Sequence, residues 1–324
     1  MSHVLICGGA GYVGAHAAKR LAEEGHRVTV FDNLSTGHRA AVAWGDLLTG
    51  DLLDPVSLQR AFCGDRIDAV MHFAALSLVG ESVRDPYSYY RNNVIGTFNL
   101  LDAMRAAEVG KLVFSSSAAV YGMPQKSPID ELQLLAPINP YGASKAMVER
   151  ALADAAIAYG LRSVALRYFN AAGADPDAQI GESHAPETHL IPNVLKAALS
   201  GSPVSIFGTD YSTPDGTGMR DYVHVNDLAQ AHLLALSHLA AQPGAHVFNL
   251  GNGSGFSALQ VVEAARRVTG RQIQIARAPR RAGDPDTLVA SSGMARRVLG
   301  WQPIFTELDP IVETAWRWHS AAKY

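Results

Sequence analysis

Tyr141 and Lys145 stand four residues apart, directly after an Asn139-Pro140 pair that suits a helix cap and its first turn. That spacing places both side chains on one helix face. An ammonium held beside a phenol favours the phenolate and draws the tyrosine pKa down from about 10 toward working pH. A tyrosine tuned in this way serves as a general base. Ser115, Ser116 and Ser117 follow the apolar run Leu112 to Phe114, and a hydroxyl there relays a proton or holds a substrate oxygen. Taken singly, the pair describes an ordinary surface helix and the serines a polar strand end. The trio acquires its meaning from what precedes it in the chain.

Gly8, Gly9, Gly11 and Gly14 follow the apolar run Val4 to Cys7 and open a helical pattern. Glycines there let the backbone turn tightly and approach a pyrophosphate, whose charge meets the free amides and positive dipole end of the helix. The next apolar run ends at Phe31-Asp32, about 20 residues on, where a carboxylate accepts the adenosine ribose hydroxyls and repels a 2′-phosphate. The pattern points to NAD rather than NADP, with a turn-capping role as the plainer reading of Asp32. Asp51 suits either an adenine amino group or a solvated loop.

Groups this far apart in sequence meet only if strands end together. Short apolar runs at Val4 to Cys7, Arg27 to Phe31, Ala69 to Phe73, Leu112 to Ser115 and Ser163 to Arg167 alternate with helical stretches at Gly14 to Glu24, Asn92 to Ala107 and Tyr141 to Ala158. The fold class implied is α/β: a doubly wound parallel-sheet Rossmann domain with a smaller C-terminal α/β substrate domain. After Asn170 the texture turns to Gly, Pro, Asp and Thr clusters, at Ala172 to His189 and at Thr209 to Arg220. The expected division is 1–170 for the NAD-binding domain and 171–324 mainly for the substrate, with segments such as Val247 to Leu250 returning to the main sheet.

Hydrophobic residues make up 48% of the 324 and charged residues 18%, which excludes disorder, collagen-like repeats and coiled coil. The 27 Lys+Arg are interspersed with 30 Asp+Glu, so no basic face invites nucleic acid. With no run of about 18 apolar residues and no signal-peptide pattern after Met1, the expectation is a cytoplasmic protein with no membrane partner. Cys7 and Cys63 lie far apart without a CxxC, so no disulfide framework is expected. The 12 histidines form no HxxxH or HExxH pair, so no metal site is expected either. His72 and His224 end apolar runs and read as buried polar anchors.

Together the motifs CGGAGYVG (from Cys7), DNLSTG (Asp32), GDLLD (Gly50), HFAAL (His72), SSSAAVYG (Ser115) and YGASK (Tyr141) run through the first half of the chain. RYFNAAGA (from Arg167), IFGTDYSTPDGTGMRDYVHVNDLA (Ile206) and APRRAGD (Ala278) occupy the second. The chain resembles the extended short-chain dehydrogenase/reductase superfamily and, within it, the UDP-glucose 4-epimerase family; the second set of motifs discriminates best. The resemblance implies NAD held by Gly8, Gly11, Tyr12, Val13, Gly14, Asp32, Asn33, Asp51, Leu52, Phe73, Ala74, Asn92, Ser115, Tyr141, Lys145 and Tyr168. It makes Tyr141 the base, Lys145 its partner and cofactor ribose ligand, Ser117 the assisting hydroxyl, and places Tyr168 by the nicotinamide. For a UDP-sugar it implies Ser117, Tyr141, Asn170, His189 and Leu190, with Ser205 and Phe207 bordering the uracil, Arg220 and Arg281 clamping the phosphates and Asp284 on the uridine ribose.

The activity implied is C4 epimerisation of UDP-glucose and UDP-galactose through a transient 4-keto sugar. The alternatives are a UDP-N-acetylhexosamine or UDP-pentose 4-epimerase, or a non-catalytic dinucleotide sensor of the same fold. A 4,6-dehydratase would need Thr-Asp-Glu where this chain has Ser117-Ala118-Ala119. Two positions depart from the family: Ser77 replaces a lysine that contacts the cofactor, and Leu288 occupies the position that limits the sugar pocket. The resemblance also implies a homodimer built on the Tyr141 helix, whose Ala146, Met147, Ala151, Leu152 and Ala155 suit either that interface or an internal core.

Overall fold

Strand side chains alternate between faces, and in the first strand, β1 (His3–Cys7), Val4 and Ile6 point one way and Leu5 and Cys7 the other, all fully buried. A strand apolar on both sides needs cover on both sides. The computed structural model, which describes residues 1–280 and 284–324, supplies it. Val4 and Ile6 pack with Val30, Met71, Val113 and Leu166 under the helices Tyr12–Glu23 and Val225–Ala241. Leu5 and Cys7 pack with Phe31, Val70, Leu112 and Phe114 under the opposite helices, through Leu58, Leu100, Met104, Val148 and Leu152. Burying two or more such side chains per strand, at about 1.5–3 kcal/mol each, is what holds the sheet between its helices.

The sheet has seven strands. The next five are β2 (Arg27–Asp32), β3 (Asp46–Thr49), β4 (Ala69–His72), β5 (Lys111–Ser117) and β6 (Arg162–Tyr168), and the seventh is Ala245–Leu250. Their order is Ala245–Leu250, β6, β5, β4, β1, β2, β3, every pairing parallel. The chain leaves β1 toward β3 on one side and resumes at β4 on the other, so the order reverses between β1 and β4. A crevice opens beyond the carboxyl ends of strands at such a reversal. The doubly wound α/β class expected from the sequence is the one observed.

A second, smaller α/β region follows. Met219–His224 forms its central strand, flanked by Gly255–Ser257, Thr287–Leu288 and Asn170–Ala172, and a separate parallel pair joins Val204–Phe207 to Ile275–Ala278. The helices Leu190–Ser200, Ala258–Thr269 and Leu308–Ser320 close over it through Val194, Leu195, Val261, Val262, Ile311 and Val312. Among the described residues no helix is long and apolar enough to cross a membrane. Two local features differ from the sequence expectation. β3 is an unforeseen edge strand, and the expected helix Asn92 to Ala107 begins as a wider, π-type turn at Tyr90–Ile95 before becoming α-helical over Gly96–Ala106.

Candidate active site

The glycine loop sits at the reversal. Gly8 has φ +82°, and a Cβ on it would lie 2.4 Å from the Ala74 amide nitrogen; one on Gly14 would lie 2.2 Å from Gly8 O. Only glycine permits that approach. The helix Tyr12–Glu23 starts at Gly11 with no side chain capping it, so its first amides are left for an anion. At the end of β2 the Asp32 carboxylate accepts the Ala10 amide at 2.9 Å and the Leu34 amide at 2.8 Å. Asn33 Nδ2 donates to Asp51 Oδ2 at 2.9 Å, tying the two acidic positions of the rim together.

Asn139 caps the helix Pro140–Tyr159 by accepting the Gly142 amide at 2.8 Å. Lys145, one turn in, is buried, and its Nζ donates to Ser115 O at 2.8 Å while lying 5.8 Å from the Tyr141 ring centroid. β5 delivers the serines. Ser115 Oγ and the Tyr168 hydroxyl are 2.5 Å apart, and Ser117 Oγ accepts the Ala119 amide at 3.2 Å. Below them Arg167 of β6 holds Glu149 of the same helix in a buried ion pair at 2.5 Å, and Ser116 Oγ donates to that carboxylate.

The electrostatics differ from the sequence expectation. Burial pushes the Tyr141 phenol above its usual range, and a hydrogen bond with Ser117 pulls it partly back. Burial likewise draws Lys145 down to about 7, opposed by the nearby Glu149 carboxylate. The expected lowering of the phenol by Lys145 is therefore not seen in the protein alone: desolvation disfavours both charged forms and is opposed only by Ser117 at the phenol and by Glu149 at the lysine.

The glycine loop, the rim carboxylates and the Tyr141, Lys145 and Ser117 side chains face one cleft. Gly8, Gly11, Tyr12, Val13, Gly14, Asp32, Asn33, Asp51, Leu52, Phe73, Ala74, Asn92, Ser115, Ser117, Tyr141, Lys145, Tyr168, Asn170 and His189 line it. The model of the NAD dependent epimerase/dehydratase family matches residues 4–251. The chain belongs to the NAD dependent epimerase/dehydratase family. It is 53% identical to a UDP-glucose 4-epimerase of Lactobacillus helveticus over 98% of this chain and 97% of that one. It superposes on a crystal structure of UDP-glucose 4-epimerase from Brucella ovis in complex with NAD with a TM-score of 0.95 at 50% identity, covering 98% of each chain. With the UDP-glucose 4-epimerase of Bifidobacterium longum in complex with NAD+ and UDP the TM-score is 0.94 at 37% identity, again over 98% of each.

Among the described residues of this epimerase/dehydratase chain, the remaining expected substrate residues lie outside the cleft wall. Leu190 opens the helix Leu190–Ser200, and Ser205 and Phe207 occupy the exposed face of Val204–Phe207. Arg220 and Asp284, far apart in sequence, meet at 2.5 Å, and Tyr211 adds a hydroxyl 3.3 Å from the same carboxylate. Arg281 lies outside the described residues. Sequence reasoning missed Ser35, Thr36 and Gly37, which line the cleft beside Asp32 and which the continuation of the DNLSTG motif marks. It also missed a group of Glu182, His184, Glu187 and His189, because their spacing matches no familiar ligand motif. Of the helix positions considered for an interface, Leu152 is buried in the core and Met147 is exposed.

Proposed function

We propose that this protein is an isomerase that inverts C4 of UDP-hexoses, interconverting UDP-glucose and UDP-galactose with NAD as a resident cofactor. The observation that carries this reading is the meeting of Tyr141, Lys145 and Ser117 with the glycine loop and Asp32 around one cleft. The loop fits a dinucleotide on its own terms. A Cβ-free approach at Gly8 and Gly14 and an uncapped helix start make room and charge for a pyrophosphate, and Asp32 presents a fixed carboxylate for ribose hydroxyls. NAD held there by the glycine loop and Asp32 would supply reversible hydride transfer at C4 of the sugar.

Tyr141 would take the proton of the 4-hydroxyl and give it back after the turn, with Ser117 holding the same oxygen. Lys145, anchored on Ser115 O, would bind the nicotinamide ribose and supply positive charge. Because burial raises the Tyr141 phenol, the phenolate depends on the charge of the oxidised ring as well. Arg220, Asp284 and Arg281 would grip the nucleotide, leaving the sugar free to rotate between the two hydride transfers. Holding both ends of the transfer within reach is the protein's contribution to rate.

Within this reading residues 1–170 serve mainly NAD and 171–324 mainly the UDP-sugar. A homodimer through the helices Gly96–Ala106 and Pro140–Tyr159 draws support from the exposed Phe98 and Met147, and a cytoplasmic location from the free thiols of Cys7 and Cys63. The test is conversion of UDP-galactose to UDP-glucose by the purified protein, alongside Tyr141→Phe, with UDP-N-acetylglucosamine and UDP-xylose as competing substrates. We expect the variant to lose roughly 10²–10⁴ in turnover while keeping UDP affinity. Near-normal turnover in Tyr141→Phe would remove the base assignment, and failure on every UDP-sugar would remove the reading.

A further inference from the structure

Four side chains cluster at the edge of the cleft; His189 is also the expected UDP-sugar contact, and Glu182, His184 and Glu187 have no part in the reaction above. Glu182, His184, Glu187 and His189 each present one donor atom, all within 4.8 Å of one another. The two carboxylate side chains are only 3% and 2% exposed. Among the described residues no lysine or arginine pairs with either. Glu182 Oε1 is approached by His184 Nδ1 at 3.1 Å and by His189 Nδ1. His184 Nδ1 stands 3.8 Å from Glu187 Oε2.

Glu187 supplies a second, separate sign. Its Oε1 accepts the amides of Thr188 and His189 at 2.8 and 2.9 Å, which fixes the carboxylate and turns Oε2 inward. Among the described residues that buried Oε2 has no donor within hydrogen-bond distance, His184 Nδ1 standing 3.8 Å away. A carboxylate oxygen stripped of water and left unbonded is destabilising unless a cation or donor reaches it. The segment is also held from outside the cluster. Trp318 Nε1 donates to Glu182 O at 2.9 Å, and His38 Nε2 lies 3.2 Å from Ser183 O.

We propose that Glu182, His184, Glu187 and His189 form a binding site for one divalent transition-metal cation, with zinc as its best fit. Two imidazole nitrogens and two carboxylate oxygens are a common zinc set, at about 2.0–2.2 Å from the ion, which separates tetrahedral donors by roughly 3.3–3.6 Å. The His184–Glu182 and His184–Glu187 separations, 3.1 and 3.8 Å, bracket that range, while His189 Nδ1 now bonds Glu182 Oε1 directly and would part from it when both turn to the ion. One dipositive ion matches the two buried carboxylates and would accept a lone pair from the unbonded Glu187 Oε2. Its place is structural. It pins residues 182–189 just ahead of the helix Leu190–Ser200, beside the cleft wall that His184 and His189 help to form.

The test uses the full-length protein, stripped with a chelator and dialysed. Zinc binding is then read by calorimetry and by elemental analysis after gel filtration, with Co(II) absorption reporting coordination geometry. We expect one zinc per chain and intense tetrahedral Co(II) bands. Glu187→Gln and His184→Ala should each weaken zinc by more than roughly tenfold, since even a partner outside the coordination sphere is worth that much. Glu263→Gln, a surface carboxylate paired with Arg266, should leave affinity unchanged. No saturable zinc binding to the wild-type chain, or stoichiometric binding indifferent to both substitutions, overturns the proposal. The near-UV circular dichroism of each variant, matched to wild type, establishes that it is folded.

Discussion

At the scale of single residues, the proposed function makes Asp32 the group that sets the chain's preference between dinucleotides. Its carboxylate is pinned by the Ala10 and Leu34 amides, so it cannot swing away from an incoming phosphate, and its negative charge is what a 2′-phosphate would meet. Asp32→Asn keeps an acceptor for one amide and removes the charge. A hydrogen bond to a charged group contributes about 1.5–3 kcal/mol, so NAD affinity should fall roughly tenfold to a hundredfold while NADP binding improves relative to it. Fluorescence titrations with both dinucleotides measure the ratio, and an unchanged preference would show that discrimination lies elsewhere. This residue was legible in the sequence because its position after the second apolar run is dictated by strand and helix lengths. The charge state of Tyr141 was not. Spacing predicts that Lys145 lowers the phenol, but how much solvent the fold removes from each group is settled by elements distant in sequence, and that burial dominates both.

At the scale of elements, the helix that carries Tyr141 and Lys145 is joined to the sheet through charge. Glu149, one turn beyond Lys145, is held by Arg167 in β6 and by Ser116 in β5, while Arg167 Nη1 also donates to the Tyr121 hydroxyl at 2.8 Å. Removing one partner of a buried pair strands the other, at a cost of about 3–5 kcal/mol. Glu149→Ala should therefore lower the urea midpoint by that equivalent and, by taking away the charge that opposes the lowering of Lys145, shift the pH profile of turnover. A loss below about 1 kcal/mol would mean that Arg167 finds another partner or water. The alternation of apolar runs and amphipathic stretches made the parallel sheet and its helices readable in advance. β3 escaped because Asp46-Leu47-Leu48-Thr49 is a half-exposed edge with no continuous apolar signal. The substrate region was the least readable part: Arg220 and Asp284 become neighbours only because Thr287–Leu288 pairs alongside Met219–His224, a pairing without local periodicity to announce it. The cluster at 182–189 stayed hidden because its ligands fall in a loop, where neither helical nor strand spacing applies.

At the scale of the whole molecule, the fold encloses four histidines that it keeps neutral. Burial lowers His16 and His232 to about 4 and His72 and His224 to about 3, with smaller downward pushes on His72 from Lys145 and on His224 from His16. They are spread through both regions: His72 bonds Thr97 at 2.8 Å, and His224 bonds Thr314 at 3.0 Å and stacks on Phe305. Each has a folded pKa below its unfolded value of about 6.5, so the unfolded chain binds more protons than the native state once the pH drops below that value. The stability these four contribute is thus fully present above about pH 6.5 and is lost as the pH falls toward 3, whereas His184, raised to about 10, and His189, also raised, contribute most below about pH 6.5 and lose that contribution as the pH rises. Each of the four steepens the loss by up to about 1.4 kcal/mol per pH unit. Two carboxylates oppose this, since burial pushes Asp221 up to about 6 and Asp227 upward as well, but they are outnumbered. Urea midpoints measured from pH 8 to pH 4 should decline steadily below about 6.5, and His232→Asn should make that limb shallower. A midpoint that stays level down to pH 4.5 would require the interior to accept protonated imidazole, which the absence of any acidic partner among the hydrogen bonds of His72, His224 and His232 argues against.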